Sequence, residues 1–333
     1  MNLRLLTIII PTYNRSDSLD LLLKTLLLEL IDNENKIMII IGNNASTDNT
    51  ESVILSFQSQ FAFTKVLSHS ENLGPDENFY KCIAEVETKF FWFISDDDLP
   101  KSGVLKSIIQ ILESKNPDLL YINSEWIPEI TSSDNGERVM NLSSRLLMRR
   151  DFAAQVSFGV TFISGMVVNY DLLKNQDIDI EIRKLSGTSL IQLGWVLPIL
   201  MKGNNLQIID QRCILATSGN TGGYKLFTVF AINFPQILSS ICGSSSEVYQ
   251  VIIRSLVWSQ IPSLLWLNRF SKLGSFKDED ILNVLKPFKY KIAYWVVMIP
   301  IIYFPKILAM PFWYISKIIV KIYKFKDNIF RSN

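Results

Sequence analysis

The chain has 333 residues, enough to bury one large core or two modest ones, and 48% of them are hydrophobic against 20% charged. Its total charge is +1, but residues 286–333 hold nine Lys or Arg against the single acid Asp327, giving +8 there and leaving −7 for the rest. An acidic body excludes a basic nucleic-acid groove, one histidine excludes a histidine dyad or cluster, and three scattered cysteines exclude a disulfide framework or a zinc spacing.

The cysteine usage suits a reducing compartment. The apolar start "MNLRLLTIIIPTYNR" lacks a small-residue cleavage site and breaks at Pro11, so it reads as a first strand rather than a signal peptide. A helix is expected over "SLDLLLKTLLLELI", with Ser16 or Asp17 as its cap, then a buried strand in "KIMIIIGNNASTDNT" and a helix in "ESVILSFQSQF". "FTKVLSH", "KFFWFIS" and "DLLYINSEW" read as further strands, with helices over "PDENFYKCIAEVE" and "SGVLKSIIQILESK" between them. Such alternation predicts an α/β fold with a mainly parallel sheet flanked by helices.

Three strands end in polar clusters: "TYNR", "NNASTD" and the aspartates of "FWFISDDDLP", residues 91–100. Ligands of open parallel sheets bind beyond the carboxyl ends of strands, so these clusters are expected to share a crevice. Three adjacent carboxylates repel one another and need solvent, donors or a cation. One reading is a solvated turn capping a helix that begins near Pro100, with Asp98 or Leu99 preceding it. The other is a site for a hard cation and a phosphate-bearing ligand. Neither a Walker pattern nor G-x-G-x-x-G is present.

Taken in order, "IIIPTYNR" (8–15), "IIIGNNASTDNT" (39–50), "ENLGPDEN" (71–78) and "FWFISDDD" (91–98) resemble the family 2 glycosyltransferases of GT-A fold, a Rossmann-like arrangement. The resemblance implies a nucleotide-sugar donor lying across the strand ends, with Pro11, Thr12, Tyr13, Asn14 and Arg15 beside base and ribose. Asn43, Asn44, Ser46, Asp48, Asn72 and Asn78 would complete that donor site. Asp96 and Asp98 would form the D-x-D pair that holds Mn²⁺ or Mg²⁺ against the diphosphate, with Asp97 fixing the loop or touching the donor.

Two departures stand out. The family usually reads Asp-Asn where this chain has Asn43 and Asn44, and an amide, unlike a carboxylate, matches the acceptor and donor of cytosine. Asn43 thus hints at a CDP-sugar. The Glu-Asp pair from which inverting members draw their base is missing between Gln192 and Trp195. Asp177, Asp179 and Glu181 are the nearest substitutes; the alternative is a retaining reaction in which the donor's phosphate takes the proton.

"FISGMVV", "QLGWVLPIL" and "SGNTGGYKLFTVF" are similar to the abequosyltransferase branch, which implies transfer of a dideoxyhexose to a lipid-linked oligosaccharide of O-antigen. Ser164, Gly165, Trp195, Asn220, Gly222, Gly223 and Tyr224 would then serve the acceptor or a mobile loop. Residues 1–225 are expected to be catalytic and 226–333 helical. In the latter, Lys317, Lys321 and Lys324 recur at i, i+4 and i+7, and with Lys306 they predict a helix lying on an anionic membrane surface. Pro300, Pro305, Lys306 and Pro311 interrupt the apolar runs before any reaches the roughly 20 residues of a spanning helix. The expected enzyme is peripheral, on the cytoplasmic face of a bacterial inner membrane. The rival readings are a nucleotidyltransferase and a membrane-peripheral scaffold without turnover.

Overall fold

The structure is a computed structural model that describes residues 4–30, 33–131, 138–139, 141–174, 178–217, 225–270 and 280–329; side chains of 178–179 and 321–329 lie outside the description. The chain divides into two units, one of residues 1–152 with 159–218 and one of 153–158 with 219–333.

The first unit is built on nine strands among the described residues. They are β1 (Leu6–Thr12), β2 (Ile37–Asn43), β3 (Thr64–Ser68), β4 (Phe90–Phe93), β5 (Leu99–Pro100), β6 (Leu119–Ile127), β7 (Arg145–Leu147), β8 (Met166–Asn169) and β9 (Leu206–Thr217). The order is β3-β2-β1-β4-β8-β6-β9-β5, with β7 also on β9. β1 runs parallel to β2 and β4, β2 to β3, and β6 to β9, while β8 is antiparallel to both its neighbours. Every residue of β1 and of β4 is buried, and strands covered on both faces read as unbroken apolar runs, which is why "LTIIIPT" and "FFWF" show no alternation.

Helices α1 (Ser16–Leu30), α2 (Thr50–Gln58), α3 (Pro75–Ala84) and α4 (Val104–Lys115) follow the first strands. On α1 the buried leucines 19, 22, 23, 26 and 30 keep helical spacing and turn one stripe to the sheet. Pro75 occupies the first turn of α3, where its missing N–H costs nothing. Asn116 closes α4 in the left-handed conformation at φ 46°. Helices α5 (Arg149–Val156), α6 (Asp171–Lys174), α7 (Ile178–Arg183) and α8 (Leu193–Lys202) complete the elements up to β9.

One expectation fails here. Pro100 does not open a helix: with Leu99 it forms β5, paired antiparallel to Leu215 and Ile214, and α4 begins only after Gly103, whose φ is +85°. Proline is tolerated in so short a strand because it gives up only one donor.

The second unit is helical: α9 (Leu226–Thr228), α10 (Phe234–Cys242), α11 (Glu247–Ser255), α12 (Ile261–Phe270), α13 (Ile281–Val284), α14 (Ile299–Tyr303) and α15 (Lys306–Ile329). Trp266 of α12 stacks on Trp313 of α15 at 4.9 Å. Beside this pair Lys317 donates to Ser263 Oγ at 2.9 Å, and burial lowers its pKa. Lys317 therefore faces protein, which corrects its assignment to a membrane-facing lysine stripe. The side chains of Lys321 and Lys324 lie outside the description, and Lys306 is exposed. No helix among the described residues is long and apolar enough to cross a membrane.

Candidate active site

Because β2, β1 and β4 are parallel neighbours, their carboxyl ends emerge side by side, with Thr12 paired to Asn43 at the last register position. Ile94 is still held to β1 through its N–H on Ile9 O at 2.9 Å, and the chain then turns through Ser95, Asp96, Asp97 and Asp98. The turn is tied to three other segments and across itself. Arg15 Nη1 lies 2.8 Å from Asp96 Oδ1 and 3.2 Å from Asp97 Oδ2. Ser95 Oγ donates to Asp97 Oδ1, and Thr217 Oγ1 to the Asp97 carbonyl at 2.9 Å. Ser164 Oγ donates to Asp98 Oδ2 at 2.5 Å and accepts from Ser95 N at 2.9 Å. Trp92, inside β4, fixes the same residue by donating from Nε1 to the Ser164 carbonyl at 2.8 Å.

Charge in this turn is only partly offset. Asp96 and Asp98 are 3% and 5% exposed. Burial pushes the Asp96 carboxyl up to about 6 although Arg15 opposes it, and pushes Asp98 up to about 7 although the Ser164 hydrogen bond opposes it; Asp97 adds repulsion to both. Arg15 meets burial too, but Asp96 and Asp97 outweigh it and raise its pKa. The Thr12 hydroxyl is buried against Asp96 without making a hydrogen bond of ordinary geometry.

The donor-side residues divide into those that face outward and those spent on the frame. Tyr13 is exposed at 42% beside the β1 terminus. Asn14, at φ 52°, accepts from Thr47 N at 2.7 Å, and its own N–H meets Ser46 Oγ at 3.0 Å, joining the two loops. Asp48 caps two helices at once, accepting from Ser16 N and from Thr50 N and Oγ1; against desolvation, the Thr50 hydroxyl first and then these N–H groups lower its pKa. Asn44 bridges to Asn72 Oδ1 at 2.9 Å and accepts from Leu73 N, and Asn72 also accepts from Gly74 N. Asn78 donates to the Gly42 carbonyl at 3.0 Å and meets His69 Nε2 at 3.0 Å.

Asn43 requires a correction. Its amide oxygen accepts from Ser46 N at 3.1 Å and its amide nitrogen donates to Glu51 at 3.0 Å, so both polar ends are engaged within the protein. The side chain does not present itself to a base, and the argument from Asn43 to cytosine lapses.

On the acceptor side, Ser164 belongs to the aspartate turn, but Gly165 and Trp195 are packing residues. Trp195 of α8 stacks on Phe93 at 5.2 Å and is 2% exposed. A Cβ on Gly165 would stand 2.8 Å from Phe162. Both therefore line the core rather than an acceptor path, which corrects their nomination. Gln192, where an acid was sought, donates to Thr161 O at 2.8 Å. Glu181 pairs with Lys184 at 2.5 Å on the exposed side of α7. The Asp179 side chain, Asp177, Asn220, Gly222, Gly223 and Tyr224 lie outside the described residues.

Sequence reading missed Ser95, Thr217 and Asp76. Asp76 of α3 is buried and accepts from Ser189 N at 3.0 Å, tying the "ENLGPDEN" segment to the turn that leads into α8. Thr217 had a faint signal, since it ends a strand immediately before the Gly-rich stretch.

The donor set fits a hard divalent cation. Asp96 and Asp98 offer carboxylates that burial penalises in their charged form, a cost that a cation at the turn would lower. Among the described residues no group of three or more His, Cys, Asp or Glu could hold a metal by itself. An ion here would complete its shell with substrate phosphate and water, as Mg²⁺-type sites do.

Comparisons with known proteins agree on the architecture. Residues 7–169 match the family model described as Glycosyl transferase family 2. Abequosyltransferase RfbV of Salmonella typhimurium is 36% identical over 121 residues, 34% of this chain and 34% of that protein. GalNAc(5)-diNAcBac-PP-undecaprenol beta-1,3-glucosyltransferase of Campylobacter jejuni is 30% identical over 108 residues, 32% of this chain and 33% of that one. The matched part thus spans about a third of the length of these relatives. The crystal structure of S. aureus TarS 1-349 superposes with a TM-score of 0.57 at 17% identity, covering 81% of this chain and 76% of that one. The same protein in complex with UDP-GlcNAc gives 0.56 at 18%, covering 85% and 80%. At such identity the likeness is one of fold.

Proposed function

We propose that the chain, whose residues 7–169 match glycosyl transferase family 2 and whose fold is of GT-A type, is a glycosyltransferase that moves a sugar from a nucleoside diphosphate to a lipid-linked oligosaccharide. The observation that carries the reading is the aspartate turn after β4, held against Arg15 at the end of β1. In this reading Asp96 and Asp98 would hold Mn²⁺ or Mg²⁺, which would supply positive charge to neutralise the diphosphate leaving group. Arg15 keeps Asp96 and Asp97 oriented, Ser164 keeps Asp98 oriented, and exposed Tyr13 offers a ring on which a base can stack. The two asparagines at the end of β2 hold the loops that frame the donor rather than the donor itself.

The donor we place first is CDP-abequose or a similar dideoxyhexose nucleotide. Its support is the likeness to the Salmonella abequosyltransferase, not Asn43. The lipid-linked acceptor is supported by the likeness to the undecaprenol-linked enzyme of Campylobacter. On this reading the protein works on the cytoplasmic face of a bacterial inner membrane, where nucleotide sugars are made.

Calorimetry of the full chain with CDP, UDP and GDP, with and without Mn²⁺, tests the proposal. Manganese-dependent binding that disappears in Asp98→Asn supports it, and preference for CDP over UDP supports the finer donor. Folded protein that binds no nucleoside diphosphate under any of these conditions sinks it.

A further inference from the structure

Helix α15 is turned inside out for a soluble protein. Ile307, Leu308, Met310, Tyr314, Ile315 and Ile318 are exposed, four of them by more than half of their surface, at spacings that place them on one side of the helix. The polar residues of the same stretch look inward: Ser316 is fully buried, and Lys317 reaches back to Ser263. Surface helices of water-bathed proteins carry the opposite arrangement. A contiguous exposed apolar face of this kind marks an interaction surface.

We propose that this outward face of α15 docks the protein on an anionic lipid bilayer by shallow insertion. Charge decides for lipid over a second copy of the chain. Residues 281–326 contain no Asp or Glu, while Lys286, Lys289 and Lys306 are exposed in the same unit. A self-pairing of such a surface brings lysines against lysines, whereas anionic headgroups neutralise them. Aromatic residues add to the fit, since Tyr290, Trp295 and Tyr303 are exposed at 78%, 59% and 58%, and amphipathic rings favour the headgroup level. With no described helix able to span a membrane, the face lies in the interface. Of the lysine stripe read from sequence, Lys317 turns inward, and the exposed apolar residues of α15 with exposed Lys306 at its start carry the docking.

This inference does not depend on the glycosyl-transfer reading, and its test leaves that reading untouched. The full chain is floated with phosphatidylglycerol–phosphatidylcholine vesicles and with phosphatidylcholine vesicles alone, and nucleotide binding in solution is measured in parallel. Binding to the anionic vesicles, weakened by salt, is expected. The double variant Ile307→Glu, Ile318→Glu is expected to lose about tenfold or more in vesicle affinity with its melting temperature unchanged, because both positions are exposed and only insertion loses by the added charge. Lys306→Glu should weaken binding to anionic vesicles selectively. The proposal is overturned if the wild type does not bind anionic vesicles or if the double variant binds as well. It is likewise overturned if the wild type is a dimer in light scattering that the double variant dissociates while vesicle binding stays unchanged.

Discussion

Ser164 Oγ stands 2.5 Å from Asp98 Oδ2, joining the turn before β8 to the last aspartate of the turn after β4 across 66 residues of chain. Ser164 is fully buried and serves both sides, since the same oxygen accepts from Ser95 N. Ser164→Ala removes one donor from a buried carboxyl and the acceptor of a backbone N–H. Each loss costs about 1–3 kcal/mol, and with it the constraint on the Asp98 rotamer. We expect a clear drop in melting temperature together with weaker metal-dependent nucleotide binding. Unchanged calorimetry on both counts contradicts the positioning role.

Arg15 faces two carboxylates with one guanidinium, 2.8 Å from Asp96 and 3.2 Å from Asp97. A lysine ammonium is a point charge and does not reproduce that fork. Arg15→Ala is expected to cost about 1–3 kcal/mol, between an exposed pair and a fully buried one, because Arg15 itself is a third exposed. Arg15→Lys should recover less than half of it. Urea unfolding of the three proteins at one pH measures the ranking, and a lysine variant equal to wild type refutes the fork.

How much of this was legible beforehand follows from the range of the interactions. β1, β2 and β4 announce themselves because buried parallel strands need apolar runs, and the polar residues that follow them mark the carboxyl ends. What joins those ends was invisible: Ser164 to Asp98, Thr217 to the Asp97 carbonyl and Asp76 to Ser189 span 66, 120 and 113 residues and leave no local pattern. Residue type was also ambiguous where one chemistry serves two purposes. Asn43 has the donor and acceptor to read a base, but Ser46 and Glu51 use both. Lys317 falls on a helical stripe with Lys321 and Lys324, but spacing does not say which side of the helix is covered, and α12 covers the side that carries Lys317.

The aspartate turn predicts an unusual pH dependence. Burial raises the Asp96 and Asp98 carboxyls to about 6 and about 7 in the folded protein, above the ordinary 3.8, so between these limits the folded state holds protons that the unfolded chain has released. Their contribution to the stability of the ligand-free protein is fully present below the unfolded value and is lost as pH rises through 6 and 7. Asp48 and Glu125, whose pKa values are lowered, act in the opposite sense and obscure the raw curve. The difference between Asp98→Asn and wild type isolates the effect. It should grow from pH 4 to pH 7 in favour of the variant, on the order of 2–4 kcal/mol, and level off above that. Parallel unfolding curves for the two proteins across that range refute the assignment.

The close approach of α3 to β2 supplies the last prediction. A Cβ on Gly42 would stand 2.5 Å from Cys82 Sγ and 2.6 Å from Asn78 Oδ1, inside contact distance on both sides. Asn78 cannot yield freely, because it donates to the Gly42 carbonyl and meets His69 on β3's following turn. Gly42→Ala therefore has to push α3 away from the sheet or break this hydrogen-bonded set, at a cost of about 1–3 kcal/mol or somewhat more. Cys82→Ala alone removes a buried sulfur and is expected to destabilise on its own account. In the double variant the alanine at 42 gains the space the sulfur left, so the two costs should fall short of additive by about 1 kcal/mol. Additive costs in a double-mutant cycle, measured by chemical denaturation, show that the sulfur is not what keeps position 42 free of a side chain.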